Sequence, residues 1–150
     1  MLRISRLADY AVVITSYIAR YEKNTHSAAG VAESTGIPLP TPSKLLKLLA
    51  KNEILDSQRG VKGGFILSRP ARLISIAEII ESVDGPIAIT DCLDGDRGCD
   101  LQKICIVQEP WQRISAAISE TLNNLTLENI IQVADSKKYI NRFISLETAR

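Results

Sequence analysis

The sequence is poor in the residues from which most active sites are built. Its 150 residues include a single histidine, His26. No serine–histidine–acid or cysteine–histidine constellation is legible, so nothing supports a hydrolase or a transferase. His26 itself is expected in a solvated loop. Long apolar runs are also missing, and none approaches the roughly 18 residues of a membrane span. The N-terminal stretch MLRISRLADYAV has basic residues but no cleavable signal pattern, because Asp9 interrupts any apolar stretch. The expected compartment is therefore the cytoplasm, with no membrane partner. Internal repeats and low-complexity segments are absent. The length bounds the chain to one ordinary domain, or a small domain plus an extension, and a hydrophobic content of 45% suffices for a core.

The near-zero net charge of +1 conceals an asymmetry. Residues 1–72 carry 11 basic against 5 acidic side chains, and residues 73–150 carry 7 against 12. A basic first half suggests a polyanion partner, although a chance distribution of surface charge gives the same count. Ser5 to Tyr21 is expected as a first helix, with Leu7, Ala11, Ile14 and Ile18 forming one apolar stripe. Val12, Val13 and Tyr17 lie off that stripe, so a second side of the helix can meet a partner subunit. Asp9 points to this second side, an odd place for a lone carboxylate.

Ser27 to Thr35 reads as a short helix with Ser27 as N-cap and Gly36 just past its end. In IPLPTPSKLLKLLAKN, Thr41 can cap a helix that starts at Pro42. Leu45, Leu48 and Leu49 would face the core, and Lys44, Lys47 and Lys51 would form a separate basic stripe. This is either a helix-turn-helix or an ordinary helical pair with a solvated lysine face. Ile54-Leu55 and Phe65-Ile66-Leu67 then read as strands around Gln58-Arg59-Gly60-Val61-Lys62-Gly63-Gly64, a hairpin whose glycines allow close backbone approach. A basic hairpin after a helix-turn-helix is a wing, placing Arg59 or Lys62 to enter a minor groove. The glycines lack Walker spacing and precede a strand, which argues against a phosphate-binding loop. Ser75 and Glu78 form a capping box for a helix carrying Ile76, Ile79, Ile80 and Val83. From about Ile106 to Leu125, Val107, Trp111, Ile114, Ile118, Leu122 and Leu125 recur at helical spacing. So long a stripe suggests packing on a symmetry mate, or a helix folding back on its own domain.

All three cysteines, Cys92, Cys99 and Cys105, fall between these last two helices, in a segment loosened by Gly95 and Gly98 and made acidic by Asp91, Asp94, Asp96 and Asp100. Clustered thiols in a cytoplasmic protein suggest metal or redox chemistry more than a disulfide framework. Thiolates suit iron, and iron–sulfur clusters are normally held by four protein groups. The C-x6-C-x5-C spacing departs from the paired spacing of structural zinc sites. A thiol–disulfide switch with one cysteine left over, and three reduced thiols in a loop, are the other readings.

With wing and cysteine segment both in view, the chain resembles the winged-helix regulators typified by the iron–sulfur regulator IscR and the nitric-oxide sensor NsrR (the Rrf2 type). It is closest to the branch regulating the SUF iron–sulfur assembly system. The resemblance covers about residues 2–131 and rests on LADYAVVITSYIA, TGIPLPTPSKLLKLLAKN, SQRGVKGGFILSRPA, ISIAEIIESVDGPIAITDC and the spaced cysteines before Trp111. It implies a mainly α fold with a small β-hairpin wing: a winged helix-turn-helix plus a long C-terminal dimerisation helix. The expected boundaries are 1–84 for the DNA-binding domain, 85–105 for the cluster-binding cysteine loop and 106–131 for the dimerisation helix and following turn. Residues 132–150 would be a tail, helical or disordered.

The resemblance further implies a homodimer on a double-stranded DNA operator, with a recognition helix over Pro42–Lys51. Thr41, Ser43 and Lys44 would lie nearest bases, Lys47 nearer phosphate, and Arg59 with Lys62 in the wing. It implies a two-iron or four-iron cluster on Cys92, Cys99 and Cys105. Some relatives place a histidine three residues after the last cysteine, where this chain has Gln108, a poor ligand. In the nitric-oxide-sensing branch an aspartate on the partner's first helix serves instead, and Asp9 aligns with it; Glu109 and Asp91 rank behind. The function implied is cluster-sensing control of transcription, of iron–sulfur assembly genes and as a repressor. Against it stand a cluster carrier or thiol-redox protein without a DNA role, and a nitric-oxide-sensing repressor of the same family. No enzyme is implied.

Overall fold

A computed structural model describes residues 4–60, 63–90 and 105–134 of the chain. Among these residues the fold is mainly helical with one antiparallel hairpin. Helix α1 spans Arg6–Arg20, α2 Ala28–Thr35, α3 Pro40–Lys51, α4 Ile76–Asp84 and α5 Gln108–Asn124. Residues 127–134 are also helical and are termed α6. Strands β1 (Leu55–Gln58) and β2 (Gly64–Leu67) pair in antiparallel register, Leu55 opposite Leu67 and Gln58 opposite Gly64.

The helix starts follow from short-range hydrogen bonding. Ser5 caps α1 by accepting from the Ala8 amide, and its hydroxyl donates to Asp84 Oδ1 at 2.7 Å, tying the start of α1 to the end of α4. Ser27 caps α2 through the Gly30 amide. Ser75 and Glu78 complete the reciprocal capping box of α4. Helix α3 differs from expectation. It begins at Pro40, not Pro42, Leu39 takes the N-cap position, and Thr41 makes no cap. Pro40 supplies the fixed φ that favours a helix start, and Pro42, still within the first turn, lacks only an N–H that would have had no intrahelical partner.

The core gathers Ala11, Ile14 and Ile18 of α1 with Val31, Leu45, Leu46, Leu49, Leu55, Ile74, Ile79 and Leu127. Helix α1 packs most extensively on α4. Leu7 does not belong to this face; Ala8 occupies its place and Leu7 is exposed. Likewise Leu46, not Leu48, joins Leu45 and Leu49 inside. Burying each such leucine or isoleucine contributes about 1.5–3 kcal/mol.

Two backbone bridges complete the fold. His26 exchanges hydrogen bonds with Phe65, at 3.0 and 2.9 Å, an isolated antiparallel bridge that pins the segment before α2 to β2. Far from being a solvated loop residue, His26 is buried. Its Nε2 lies 3.0 Å from the Tyr21 carbonyl and its ring meets Tyr17 edge-on. The chain opposite is glycine for a steric reason: a Cβ on Gly64 would come within 2.6 Å of the His26 carbonyl oxygen. The second bridge joins Ile76 N–H to Leu125 O and Leu127 N–H to Ile74 O, seating fully buried Leu127 in the core. Thr126 accepts from the Asn129 amide at the head of α6.

Candidate nucleic-acid interface and metal-ligating segment

Because α3 turns Pro42, Leu45, Leu46 and Leu49 inward, Lys44, Lys47 and Lys51 emerge together on its outer side. With Pro40, Ser43 and Leu48 they line an open groove of about 530 Å³. Among the described residues none of the three lysines is ion-paired. Like charges three and four residues apart on a helix each cost a few tenths of a kcal/mol. A polyanion laid along this face would relieve that repulsion. Thr41 and Ser43 are half-buried beside the lysines. Asn52, at the helix end, is not free to join them, since its amide donates to the carbonyls of Leu48 at 2.9 Å and Ser82 at 3.3 Å.

Arg59 is exposed at the end of β1, next to Gly60, whose φ of +121° suits only glycine. Lys62 lies outside the described residues. The base of the hairpin is held from two sides. The His26 bridge is one. Arg69 is the other, donating to the carbonyls of Glu53 at 2.8 Å and Leu73 at 3.1 Å while pairing with Glu78. Nothing in the sequence pattern marks Arg69 for this role. The His26 link was equally hidden, because an isolated bridge has too few residues to show alternation.

Of the three cysteines, Cys105 is described: it is half-buried and precedes α5. Cys92 and Cys99 lie outside the described residues. The stretch leading to them is anchored where Ser115, the one buried position of α5, donates to the Ile87 carbonyl at 3.0 Å. Asp9 is exposed in the first turn of α1. Glu109 is engaged with Arg113 at 2.7 Å, and Asp91 is not described. Among the described residues of a single chain, no three His, Cys, Asp or Glu side chains come together as a metal site.

The amino-terminal half of α5 shows Val107, Trp111 and Ile114 to solvent, with Trp111 37% and Ile114 45% exposed. Its far end packs on the core through Leu122. The helix therefore folds back on its own domain through Leu122, while its other end leaves apolar residues uncovered. No helix among the described residues is long and apolar enough to cross a membrane.

A family profile described as Rrf2, iron-dependent transcriptional regulator, matches residues 4–133. The putative HTH-type transcriptional regulator ORF2 of Azotobacter vinelandii is 32% identical over 135 residues, covering 89% of this chain and 82% of that protein. The HTH-type transcriptional regulator IscR of Sodalis glossinidius is 30% identical over 142 residues, covering 94% and 86%. Among solved structures, the global cysteine regulator CymR of B. subtilis superposes with a TM-score of 0.71 at 26% identity, covering 89% of this chain and 98% of that one. IscR of T. potens gives 0.69 at 25% identity, covering 89% and 88%.

Proposed function

The chain belongs to the Rrf2 family of transcriptional regulators, and from that membership we propose that it is a homodimeric operator-binding repressor governed by an iron–sulfur cluster. The observation that carries the cluster is the donor set: three thiols spaced C-x6-C-x5-C, between α4 and α5 of a regulator fold. Soft, strongly donating thiolates fit iron, and three of them leave one ligand position to be filled. Cys92, Cys99 and Cys105 would hold the cluster, with Asp9 of the partner subunit as fourth ligand. Bound there, the cluster would supply a redox-responsive centre that oxidants or nitric oxide can dismantle. A carboxylate is a hard ligand and releases iron more readily than thiolate does, which suits a sensor.

The dimer reading is supported by the uncovered apolar residues of α5 and by Val13, 40% exposed on the side of α1 that also carries Asp9. An acid on a partner-facing helix is then accounted for. On DNA, Thr41, Ser43 and Lys44 would approach base edges and Lys47 phosphate, with Arg59 and Lys62 in the minor groove. The lysines, aligned in one row and without an ion-pair partner among the described residues, favour this reading over a cluster carrier, which has no use for aligned cations. Iron–sulfur assembly genes are the proposed targets, in keeping with the IscR relatives.

The test is anaerobic isolation with an iron count and visible spectrum, followed by operator titration with and without cluster at one salt concentration, because phosphate contacts make affinity salt-dependent. Distinct affinities for the two states are expected, and equal affinities would refute control by the cluster. Asp9→Ala should speed cluster loss with little change in folding. Unchanged absorbance and lifetime would remove Asp9 from the site.

A further inference from the structure

Helix α3 and the hairpin are joined by only three residues, Asn52, Glu53 and Ile54. The joint is a Schellman turn: the Ile54 amide donates to the Leu49 carbonyl at 3.0 Å and the Glu53 amide to the Ala50 carbonyl at 3.2 Å. Leu49 and Ile54, both buried in the core, occupy the two positions whose apolar contact accompanies such a turn. The turn needs a left-handed residue, and glycine usually supplies it. Here Glu53 does, with φ +59°, the one non-glycine residue of positive φ among those described. Strain of this kind persists where the surroundings over-determine the backbone.

What holds it comes from the far side of the hairpin. The Glu53 carbonyl accepts from Ser68 Oγ at 2.6 Å and from Arg69 Nη1 at 2.8 Å, two residues that directly follow β2. Arg69 reaches further. Its Nε donates to the Leu73 carbonyl at 3.1 Å and its Nη2 to Glu78 Oε1, while Glu78 Oε2 accepts from the Ser75 amide at 2.8 Å in the capping box of α4. Each nitrogen of the planar guanidinium therefore has an acceptor. One side chain ties the end of α3, the exit of β2 and the start of α4 together. A two-stranded hairpin is marginally stable by itself, so its direction is set by such ties. Direction matters on a duplex. A helix in the major groove and a hairpin in the minor groove engage together only when their separation is fixed, and a second contact adds affinity only where the first leaves it in reach.

We propose that Arg69 is a positioning residue for operator binding: without contacting DNA itself, it sets the wing and its Arg59 at the angle to α3 that lets both grooves be engaged at once. This rests on the DNA-binding reading above and adds to it the group that fixes the geometry between the two contacts. The test uses the full chain, isolated anaerobically, and a preferred duplex selected from a random pool. Affinity is titrated against salt, at a temperature where urea unfolding shows each variant folded. Arg59→Ala should lower the slope of log affinity against log salt by about one. Arg69→Gln should lower it by about the same amount, and so should Arg69→Lys, which keeps the charge but not the fork. Adding Arg59→Ala to either Arg69 variant should change affinity by less than about twofold, the mark of two residues acting as a unit. Arg69→Lys also keeps the cycle readable if Arg69→Gln does not fold. If Arg59→Ala costs as much in the Arg69 variants as in the wild type, with only the unfolding midpoint lowered, Arg69 is purely structural and the inference falls. Wild-type affinity and slope in Arg69→Lys overturn it too, since charge alone would then suffice. A wild-type chain indifferent to Arg59→Ala overturns the wing reading beneath it, and failure to enrich any duplex overturns DNA binding itself.

Discussion

Replacing Gly64 by alanine should loosen the hairpin, by an amount the geometry sets. The added Cβ would stand 2.6 Å from the carbonyl oxygen and 2.8 Å from the carbonyl carbon of His26. Both are backbone atoms, so no side-chain rotation makes room. Restoring ordinary contact requires the His26 backbone to retreat by roughly 0.8 Å. The two hydrogen bonds between His26 and Phe65, now 3.0 and 2.9 Å, would then exceed hydrogen-bonding length. Each contributes about 1 kcal/mol net, so their loss costs roughly 2 kcal/mol. Alanine also restricts the unfolded chain, which returns about 0.4–1 kcal/mol. A net destabilisation of roughly 1–2 kcal/mol is expected, read by urea unfolding as a lower midpoint with unchanged slope. Gly30→Ala is the matched control. It lies inside α2 with Ser27 Oγ, at 3.4 Å, as the one non-adjacent atom near its Cβ position, and should stabilise by about 0.5–1 kcal/mol. If Gly64→Ala matched or exceeded wild type in stability, the His26–Phe65 bridge would not be what fixes the hairpin.

Three further outcomes are expected. Leu127→Ala, which empties a fully buried position seated by the bridge to Ile74, should cost about 2–5 kcal/mol in the same unfolding assay; a smaller loss would mean that α6 is not part of the core. Ile114→Glu, at an exposed apolar position on α5, should shift the protein from dimer to monomer in sedimentation with little change in helix content. An unchanged sedimentation coefficient would move the dimer interface elsewhere. Lys47→Ala should weaken binding to all duplexes about equally and lower the slope of log affinity against log salt by about one, whereas a sequence-selective loss would place Lys47 at a base instead of phosphate.

Where periodicity spoke, the elements were legible. Ser5, Ser27 and Ser75 stand at helix starts as their side chains require, and the glycine-rich stretch before Phe65 marks the hairpin. Periodicity does not choose between neighbours on a helix. Leu7 and Ala8 are a single residue apart, and a pattern built on side-chain size favours the leucine. The packing of α1 against α4 has room for the smaller residue and turns the larger one out. Leu48 and Leu46 present the same problem in a helix where four leucines fall within five positions. Helix α3 starts at Pro40 and not at Pro42, two prolines with the same local preference, and only the position of the preceding turn decides between them.

His26 shows a different limit. Its role is made by groups distant in sequence: the Tyr21 carbonyl, the Tyr17 ring and the backbone of Phe65. A polar residue between two helices reads as solvated because nothing local shows what will cover it. The cysteine segment is the converse case. Its chemistry is written locally, since three thiols at such spacing point to a soft metal wherever the chain places them. Its completion is not, because a fourth donor supplied, as proposed, by α1 of a second subunit would leave no trace in spacing along one chain. The clue available is a misfit, Asp9 exposed on a helix that also shows Val13 to solvent. Among the described residues of its own subunit an acid there has no partner, and it gains only a modest interaction with the helix dipole in the first turn. If α5 and this side of α1 are where two copies meet, the carboxylate must be paired or ligated on assembly, because an unpartnered charge would oppose the very contact that the apolar residues around it favour.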